Sequence, residues 1–361
     1  MKILVVMKRF STSKDMVMQD FGRQIRLFGP LAKNHEINFL CPDYVKKENR
    51  IINRGGIRFI IKPFGLFYFF RFLDEISQLI KNKRYDLIVA ATDPLIGGIC
   101  NHYSRKYKIR LIYDLQDNFE SYDSYMVPLV SYFHKKALIE ADAVLTVSDS
   151  LKKYISSKRK KPSYVIQNGI DLKAFKPMKK IISRKKLKLP LNSKIIVYIG
   201  HLEKLKGANI LLDAFNKVRQ EFPDTCLLLS GEIEKGIDIK QKNIIYREFP
   251  KRDDVVLGIN AADVAVIPNT ANEFTKYCFP YKLAEYMACN VPIVATDVGD
   301  VSLILKKYKG SLAVPNNAEE FSEKIMLKLE SNARPDYSED VKNFDWNILS
   351  ERLNEILEKL K

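Results

Sequence analysis

A segment in the last third of the chain, residues 279–299, has the residue types of a helix start that binds an anion. Pro280 suits a first helical turn, where its missing N–H costs nothing, and Asn290 followed by Pro292 suits the helix end. Backbone N–H groups at such a helix start attract negative charge, and a diphosphate fits them. Glu285 falls about one turn into the helix, where a carboxylate can accept hydrogen bonds from ribose hydroxyls. An ordinary capped helix with a solvated Glu285 also explains the segment.

The hydrophobic pattern predicts the elements that position this segment. Short, nearly continuous apolar runs alternate with longer segments of helical periodicity along the whole chain. Runs such as residues 2–7, 85–91 and 194–199 lack the polar alternation of a half-exposed strand, which favours parallel strands buried on both faces. Repeated strand–helix units predict an α/β fold with doubly wound parallel sheets.

The strand–helix pattern restarts after a polar, basic segment at residues 173–193, which predicts two Rossmann-like domains facing one cleft. We place the N-terminal domain at residues 1–175 and the second domain at residues 176–345. Residues 346–361 have leucines at helical spacing and no strand after them. We therefore expect this last helix to pack back on the N-terminal domain.

The net charge of +17 is concentrated in the first half of the chain. Residues 1–180 carry 33 basic and 17 acidic side chains, whereas residues 181–361 carry 27 and 26. The excess is greatest at residues 152–194, where Asp171 is the single acid. An anionic membrane surface and a solvated basic face both explain this distribution. Nucleic acid is not expected as a partner, because no signature of a nucleic-acid-binding module accompanies the charge.

Composition and run lengths exclude several protein classes. The 46% hydrophobic content is too high for a disordered chain. Apolar runs such as residues 66–70 are far shorter than the roughly 20 residues of a membrane span, and residues 3–7 are too short for a signal-peptide core. The five cysteines and four histidines are scattered, so no metal site is readable. We expect a cytoplasmic protein without a structural metal.

Residues 279–299 resemble the nucleotide-sugar signature of retaining glycosyltransferases of family 4, the glycosyltransferase group 1 enzymes, which have the GT-B fold. Further segments carry the same resemblance in the expected order along the chain. These segments are residues 142–148, 165–171, 197–215, 227–231 and 261–268. Together they cover most of residues 85–300, and the resemblance implies two Rossmann-like domains facing a cleft.

The resemblance implies a site for a nucleotide-diphosphate sugar in the second domain. Lys206 occupies the family's Lys position and is expected to neutralise the donor diphosphate, together with His201, which stands where Arg is usual. Glu285 matches the second Glu of the family's Glu-(seven residues)-Glu motif, the ribose ligand, whereas Tyr277 replaces the first Glu. The expected donor-binding residues are Gly200, His201, Lys206, Phe279, Tyr281, Lys282, Leu283 and Glu285.

Candidate residues on the acceptor side follow two strands of the N-terminal domain. Asp93 follows one predicted strand, and Gln116 and Asp117 follow the next, so all three are expected at one edge of the sheet. The resemblance implies that such residues lie near the sugar or the acceptor hydroxyl, and Asp117 is our candidate for orienting the acceptor. A loop-capping role for Asp117 is the alternative. A phosphate contact from residues 11–14 is a further hypothesis.

An aromatic run at residues 64–73 is not explained by the resemblance. Phe67, Phe70 and their neighbours put apolar groups on almost every side of one helical turn, beside Lys62 and Arg71. A membrane-surface helix with flanking cations has this composition, and so does a helix buried on both faces. The sequence leaves both alternatives open.

The resemblance implies a hexosyltransferase-like enzyme that moves a sugar, with retention, from a nucleotide-diphosphate sugar to a saccharide or lipid-linked acceptor. Cell-envelope polysaccharide or glycolipid synthesis is the expected setting, with peripheral contact to the inner face of the membrane. Lys206, His201 and Asp117 are the expected catalytic residues, and no metal or other cofactor is expected. Another GT-B enzyme, such as a nucleotide-sugar epimerase or an inverting transferase, is one alternative. A non-catalytic nucleotide- or glycan-binding subunit is the other.

Overall fold

The chain folds into two compact units. The structure, a computed structural model, describes residues 1–11, 14–20, 22–331 and 334–361. The first unit is Met1–Asn168 together with Trp346–Lys361, and the second unit is Gly169–Asp345. The boundary between the units lies a few residues before residue 175, the domain end expected from the sequence. Ile170 already belongs to the second unit, where its N–H donates a 2.7 Å hydrogen bond to the carbonyl of Phe344.

The first unit is built on an eight-stranded sheet with the order β10-β9-β8-β7-β1-β4-β6-β5. The strands of this sheet are β1 (Lys2–Val6), β4 (Glu36–Asp43), β5 (Arg50–Arg54), β6 (Ile57–Pro63), β7 (Leu87–Ala91), β8 (Arg110–Leu115), β9 (Ala143–Thr146) and β10 (Ser163–Val165). Two further strands, β2 (Phe10–Ser11) and β3 (Lys14–Asp15), form a separate small hairpin. The edge strand β5 pairs antiparallel with β6, and the other neighbours in the sheet pair in parallel. The central strands are buried on both faces, which confirms the expectation from their apolar runs.

Helices connect the parallel strands of the first unit. They are α1 (Arg23–Phe28), α2 (Phe69–Lys83), α3 (Pro94–Tyr107), α4 (Val130–Glu140) and α5 (Asp149–Ser156). A parallel pair needs such a crossover, because the chain must return to the same edge before the next strand begins. Within the described part of the chain, no helix is both long enough and apolar enough to cross a membrane.

The second unit is built on a six-stranded parallel sheet with the order β13-β12-β11-β14-β15-β16. Its strands are β11 (Ile195–Ile199), β12 (Cys226–Ser230), β13 (Ile244–Tyr246), β14 (Val264–Ile267), β15 (Ile293–Thr296) and β16 (Leu312–Ala313). Its helices are α6 (Lys180–Lys186), α7 (Ala208–Glu221), α8 (Arg252–Asn260), α9 (Glu273–Tyr277), α10 (Tyr281–Ala288), α11 (Gly299–Leu305), α12 (Ala318–Glu330) and α13 (Ser338–Lys342). The two Rossmann-like parallel-sheet units confirm the predicted fold class.

The last helix, α14 (Trp346–Lys359), packs on the first unit. Leu349, Leu353 and Leu357 are buried in the same apolar cluster as the strands β1 and β4. The hydroxyl of Ser350 donates a 2.8 Å hydrogen bond to the carbonyl of Leu27 in α1. The helix therefore covers one face of the first sheet with the apolar stripe that its leucine spacing predicts.

Residues 173–193 are not a linker, although their polar, basic composition suggested one. They include α6, whose Arg184 is buried. The Arg184 guanidinium donates to the carbonyls of Ala261, Leu191 and Ser193 at 2.8–2.9 Å and pairs with Asp263 at 2.7 Å. This basic segment is therefore fixed onto the second unit by one buried, fully paired arginine.

A glycine holds two loops of the second sheet against each other. Gly207, which precedes α7, has a φ of +84°, and a Cβ at this position would lie 1.8 Å from the carbonyl oxygen of Pro268. Pro268 directly follows β14, which is the neighbour of β11. Only a residue without a side chain allows this approach, so Gly207 fixes the loop between β11 and α7 at the carboxyl edge of the sheet.

We predict that Gly207→Ala lowers the free energy of unfolding of the second unit by about 3 kcal/mol or more, because it adds a backbone clash to an unfavourable φ. Gly236→Ala is the matched control. Gly236 also has a positive φ, of +90°, but nothing lies within 4 Å of its Cβ position. The control should cost only about 1 kcal/mol. Hydrogen exchange of the α7 amides measures both changes, and equal effects of the two substitutions would contradict the close approach.

Candidate functional site

The loop from Gly200 to Gly207 follows β11 at the carboxyl edge of the second sheet. Gly200 has a φ of +135°, and its N–H donates a 2.8 Å hydrogen bond to the carbonyl of Ser230 at the end of β12. The Tyr198 hydroxyl, at the end of β11, donates to the carbonyl of His201 at 2.8 Å. The strand end and the loop are therefore held rigidly, which gives the side chains of His201 and Lys206 defined positions.

One carboxylate contacts both His201 and Lys206, the two residues that the resemblance placed at the donor diphosphate. The side chain of Glu203 lies with one oxygen 2.6 Å from His201 Nδ1 and with the other 3.1 Å from Lys206 Nζ. Lys206 also lies over the ring of Phe274, 5.6 Å from its centroid. Sequence analysis missed Glu203, although its spacing of three residues from Lys206 is a contact spacing in a helical turn.

Helix α10 begins beside this loop. Pro280 is its N-cap residue, and no side-chain cap hydrogen bond accompanies it. The hydroxyl of Tyr286 in the middle of the helix accepts a 3.0 Å hydrogen bond from the N–H of Ile199, the last residue of β11. This bond fixes α10 against the strand that leads into the loop. The helix start therefore lies at the carboxyl edge of the sheet, where a helix dipole favours an anion.

Lys282, in the first turn of α10, points its ammonium towards the same loop. Its Nζ lies 3.7 Å from the centroid of the Tyr198 ring. A Cβ added to Gly200 would lie 3.2 Å from this Nζ, so the ammonium approaches the loop backbone closely. Burial and the nearby ammonium of Lys206 lower the pKa of Lys282 to about 7, although the carboxylate of Glu285 acts in the opposite direction. Lys282 therefore belongs to the same electrostatic site as Lys206.

The other residues of the predicted donor set have different degrees of exposure. Phe279 is buried and packs edge-to-face with Phe344, with ring centroids 5.1 Å apart, and Leu283 is also buried. Neither side chain is therefore accessible to a ligand, and only their backbone groups are candidates for contact. Tyr281 is exposed and Glu285 is half-buried, one turn after the helix start. The structure thus brings the predicted cations together and excludes two predicted side chains.

Tyr277, which stands where the resemblance expects a Glu, is buried at the end of α9. Its neighbour Cys278 is buried as well. The ammonium of Lys276 lies 5.1 Å from the centroid of the Tyr277 ring. An aromatic side chain at this position replaces a carboxylate that would contact a sugar hydroxyl, so this part of the site differs chemically from the family pattern.

In the first unit, Asp93 lies at the predicted edge but is engaged by its neighbours. Its carboxylate accepts a 2.8 Å hydrogen bond from the N–H of Leu95, caps α3 and pairs with the ammonium of Lys8. The preceding residue, Thr92, has a φ of +73°, which is rare for a β-branched residue. Its hydroxyl accepts a 2.8 Å hydrogen bond from the N–H of Lys8. The loops after β1 and β7 are therefore locked together.

Asp117 and Gln116 lie at the same edge, after β8. An Asp117 oxygen accepts a 3.0 Å hydrogen bond from the hydroxyl of Tyr122. Burial raises the pKa of Tyr122, and the charges of Asp117 and Asp93 raise it further, so both carboxylates lie near this hydroxyl. Gln116 accepts a 3.4 Å hydrogen bond from the amide of Gln24. The structure therefore brings the three predicted acceptor-side residues to one sheet edge.

A buried ion pair beside these residues was missed by sequence analysis. Arg23 in α1 and Asp114 in β8 are both buried, and their closest charged atoms are 3.2 Å apart. Asp114 lies in an apolar strand and Arg23 is 91 positions away in the sequence, so no motif or residue spacing predicts that the two form a pair. Of residues 11–14, for which a phosphate contact was predicted, Thr12 and Ser13 lie outside the described residues. Within the described ranges, no three His, Cys, Asp or Glu side chains are grouped to hold a metal ion.

Two family models match this chain, one in each unit. Residues 29–174 match a model described as Glycosyltransferase Family 4, and residues 179–344 match a model described as Glycosyl transferases group 1. The second match contains the loop after β11 and helix α10, the elements that carry Lys206 and Lys282. The first match contains the strand ends that carry Asp93 and Asp117.

A putative teichuronic acid biosynthesis glycosyltransferase of Bacillus subtilis, TuaC, is 29% identical to this chain over 212 residues. The match covers 57% of this chain and 52% of TuaC, so it spans about half the length of that relative.

Solved structures share the fold along nearly the whole chain. A sucrose-phosphate synthase of Thermosynechococcus elongatus has a TM-score of 0.77 at 16% identity, covering 99% of this chain and 98% of that structure. Alr3699/HepE of Anabaena, solved in complex with UDP, has a TM-score of 0.75 at 17% identity, with 99% and 100% covered. The chain therefore consists of a segment that matches the Glycosyltransferase Family 4 model followed by a segment that matches the Glycosyl transferases group 1 model, and it has the GT-B fold.

Proposed function

We propose that this protein transfers a sugar from a nucleotide-diphosphate sugar to a saccharide or lipid-linked acceptor, with retention at the anomeric carbon. The observation that carries the proposal is the position of the Lys282 ammonium, which lies over Tyr198 beside the loop after β11 and close enough to Lys206 for repulsion to lower the pKa of Lys282. A cluster of cations beside a helix start is suited to a diphosphate. The similarity to TuaC, a putative teichuronic acid biosynthesis glycosyltransferase, and to Alr3699/HepE, which was solved with UDP and with UDP-glucose, supports a nucleotide-sugar donor and a role in cell-envelope polysaccharide or glycolipid synthesis.

In this proposal catalysis is mainly electrostatic. Negative charge develops on the diphosphate as its bond to the anomeric carbon breaks, and preorganised positive groups lower the energy of that state. Lys206 and Lys282 supply these groups, His201 donates a hydrogen bond to the diphosphate, and Glu203 holds His201 and Lys206 in place. Glu285, one turn into α10, accepts hydrogen bonds from the ribose. The ammonium groups and the helix dipole take the charge, so we propose no resident metal or cofactor.

The acceptor side of the proposal rests on the edge of the first sheet. Asp117 is half-buried and holds the Tyr122 hydroxyl, so it has a fixed position from which to orient an acceptor hydroxyl. The capping role in this loop is filled by Asn118, whose side chain accepts a 3.2 Å hydrogen bond from the N–H of Glu120. Asp93 positions the loop after β1 through its ion pair with Lys8.

We predict that Lys206→Ala reduces the rate of sugar transfer by about 30- to 1000-fold, because it removes one charged contact to the leaving group, a loss of about 2–4 kcal/mol. A thermal-shift screen against UDP-, GDP-, ADP- and TDP-glucose first identifies the donor. Transfer to a panel of saccharide and lipid-linked acceptors is then measured. Lys204→Ala is the matched control, because Lys204 is exposed in the same turn.

Unchanged turnover of the Lys206→Ala variant would contradict the assignment of this lysine. Donor binding without transfer to any acceptor would indicate a non-catalytic nucleotide-binding subunit. Conversion of the nucleotide sugar when no acceptor is present would indicate an epimerase. The anomeric configuration of the product, read by NMR, decides between retention and inversion.

We further propose peripheral contact with an anionic membrane through the first unit. Phe67 is 95% exposed and Phe70 is 81% exposed, whereas Phe64 and Phe72 are buried. The run is therefore not a helix buried on both faces. Arg71 lies beside the exposed rings, and exposed aromatic groups next to cations suit the lipid headgroup region.

A second group of exposed apolar side chains supports the membrane proposal. Met126 and Leu129, just before α4, are 82% and 66% exposed, and Leu129 has a φ of +71°. Phe67 and Phe70 lie at the start of α2, which follows β6, and Met126 and Leu129 lie just before α4, which follows β8. Both groups therefore lie at the carboxyl edge of the first sheet. Exposed large apolar side chains at one edge of the sheet favour an interaction site there.

We predict that replacing Phe67 and Phe70 with Ser weakens binding to anionic phospholipid vesicles by about tenfold or more, because each ring loses apolar burial in the bilayer. Binding by the unsubstituted protein should also fall as salt rises, because salt screens exposed charges. Vesicle co-sedimentation measures both effects. Leu303 and Leu327, half-exposed in the second unit, provide a matched double Ser control. Equal binding by both double variants, or no vesicle binding at any salt, would overturn the membrane proposal.

A further inference from the structure

The ammonium of Lys282 is half-buried without a matching acid. Among the described residues, no carboxylate lies within 4 Å of it, and it lies over the face of the Tyr198 ring, 3.7 Å from the ring centroid. In contrast, Lys206 in the same site is paired with Glu203 at 3.1 Å. A half-buried ammonium with no carboxylate in contact is energetically unfavourable, so an anion brought to it would be stabilising.

The groups around Lys282 explain its electrostatic state. Lys282 faces the ring of Tyr198 in β11, and the loop after β11 adds the Lys206 ammonium and the Glu203 carboxylate. Glu285 in α10 and Cys278, just before α10, are the other titratable groups that act on it. Burial and repulsion by Lys206 lower the pKa of Lys282 to about 7, and they outweigh the opposite effects of Glu285, Cys278 and Glu203. In the absence of an anion, Lys282 therefore carries its proton only part of the time at neutral pH.

We propose that Lys282 is a proton-coupled cation of the diphosphate site, which binds a proton from solvent as the donor binds and so matches the second negative charge of the diphosphate. This inference rests on the proposed donor site and adds a regulation of it by pH. His201 stands where the family pattern has a permanently charged Arg, so this position lacks a fixed positive charge. Lys282, which is fully charged once the donor is bound, provides that charge.

The direction of the pH effect follows from the two states of Lys282. An arriving diphosphate favours the charged form, so the pKa of Lys282 is higher in the donor complex than about 7 in the free protein. Above pH 7 the free protein must take up a proton to bind the donor, and affinity falls. Below pH 7 the proton is already bound, and affinity is constant. We expect donor binding about tenfold weaker at pH 8 than at pH 6.

Isothermal titration calorimetry in two buffers of different ionisation enthalpy counts the protons taken up on binding. The probe is the member of the UDP-, GDP-, ADP- and TDP-glucose panel with the largest thermal shift, because a diphosphate diester has no phosphate group that titrates near neutrality. We expect uptake of about 0.9 proton at pH 8 and about 0.1 proton at pH 6 from Lys282.

Three variants of the site separate the groups that can bind this proton. His201→Gln should retain the uptake at pH 8, and Lys282→Met should lose it. Lys282→Arg, which is always charged, should bind the donor without uptake and with an affinity that does not change between pH 6 and pH 8. Lys276→Met is the matched control, because Lys276 is exposed at the end of α9. Far-UV circular dichroism confirms that each variant is folded.

Proton uptake on donor binding, compared between the unsubstituted protein and these variants, decides the proposal. Uptake at pH 8 that disappears in Lys282→Met and Lys282→Arg but persists in His201→Gln supports the proposal. Uptake that disappears only in His201→Gln, or donor binding by the unsubstituted protein without uptake, overturns the proposal and leaves the proposed donor site intact. No binding of any panel member overturns both.

Discussion

Repulsion between cations that lack enough nearby acid is the interaction on which the second unit depends. Lys206 and Lys282 point into one loop at the edge of a buried parallel sheet, next to a helix start that is also electropositive. Glu203 neutralises only part of this charge. The fold must hold these groups against their repulsion, and it does so with rigid backbone contacts. Gly207 lies against Pro268, and the Tyr286 hydroxyl accepts from the N–H of Ile199.

The two units balance charge in opposite ways at their sheet edges. In the first unit, acids near the strand ends are paired with cations, as in Asp114 with Arg23 and Asp93 with Lys8. Arg9 is buried among three carboxylates, those of Asp15, Asp43 and Glu48. The second unit instead leaves Lys282 without a carboxylate within 4 Å among the described residues, although Glu285 and Glu203 act on it from farther away. This contrast favours an anionic ligand at the second sheet and a ligand recognised through hydroxyl groups at the first.

The sequence predicted those parts of the fold that depend on local pattern. Apolar runs predicted the central strands of both sheets, and the helical periodicity near residues 208–221 predicts α7 at its observed limits. The sequence pattern of residues 22–34 predicts one helix, whereas the structure divides this segment into α1 and a separate turn, since Pro30 cannot continue the hydrogen bonds of α1. The edge strand β5 was missed, because its exposed side chains carry no apolar run.

The candidate site was predictable where a single residue type carries the chemistry. Lys206 and Lys282 were assigned to the donor from the sequence, and the structure brings them together. The role of Glu203 was missed, because it depends on two contacts that only the folded loop provides. The exposure of Phe67 could not be predicted from the sequence either. A helix buried on both faces and a helix on a membrane surface can both have apolar residues on every side of this turn.

A crystal structure of this protein with a bound nucleoside diphosphate tests the central claim most directly. The measured quantity is the distance from the phosphate oxygens to the two ammonium groups. The account predicts that phosphate oxygens lie within hydrogen-bond distance, about 3.2 Å or less, of both Lys206 Nζ and Lys282 Nζ, at the start of α10. A diphosphate bound at the edge of the first sheet, or at the second sheet without contact to either lysine, would contradict it.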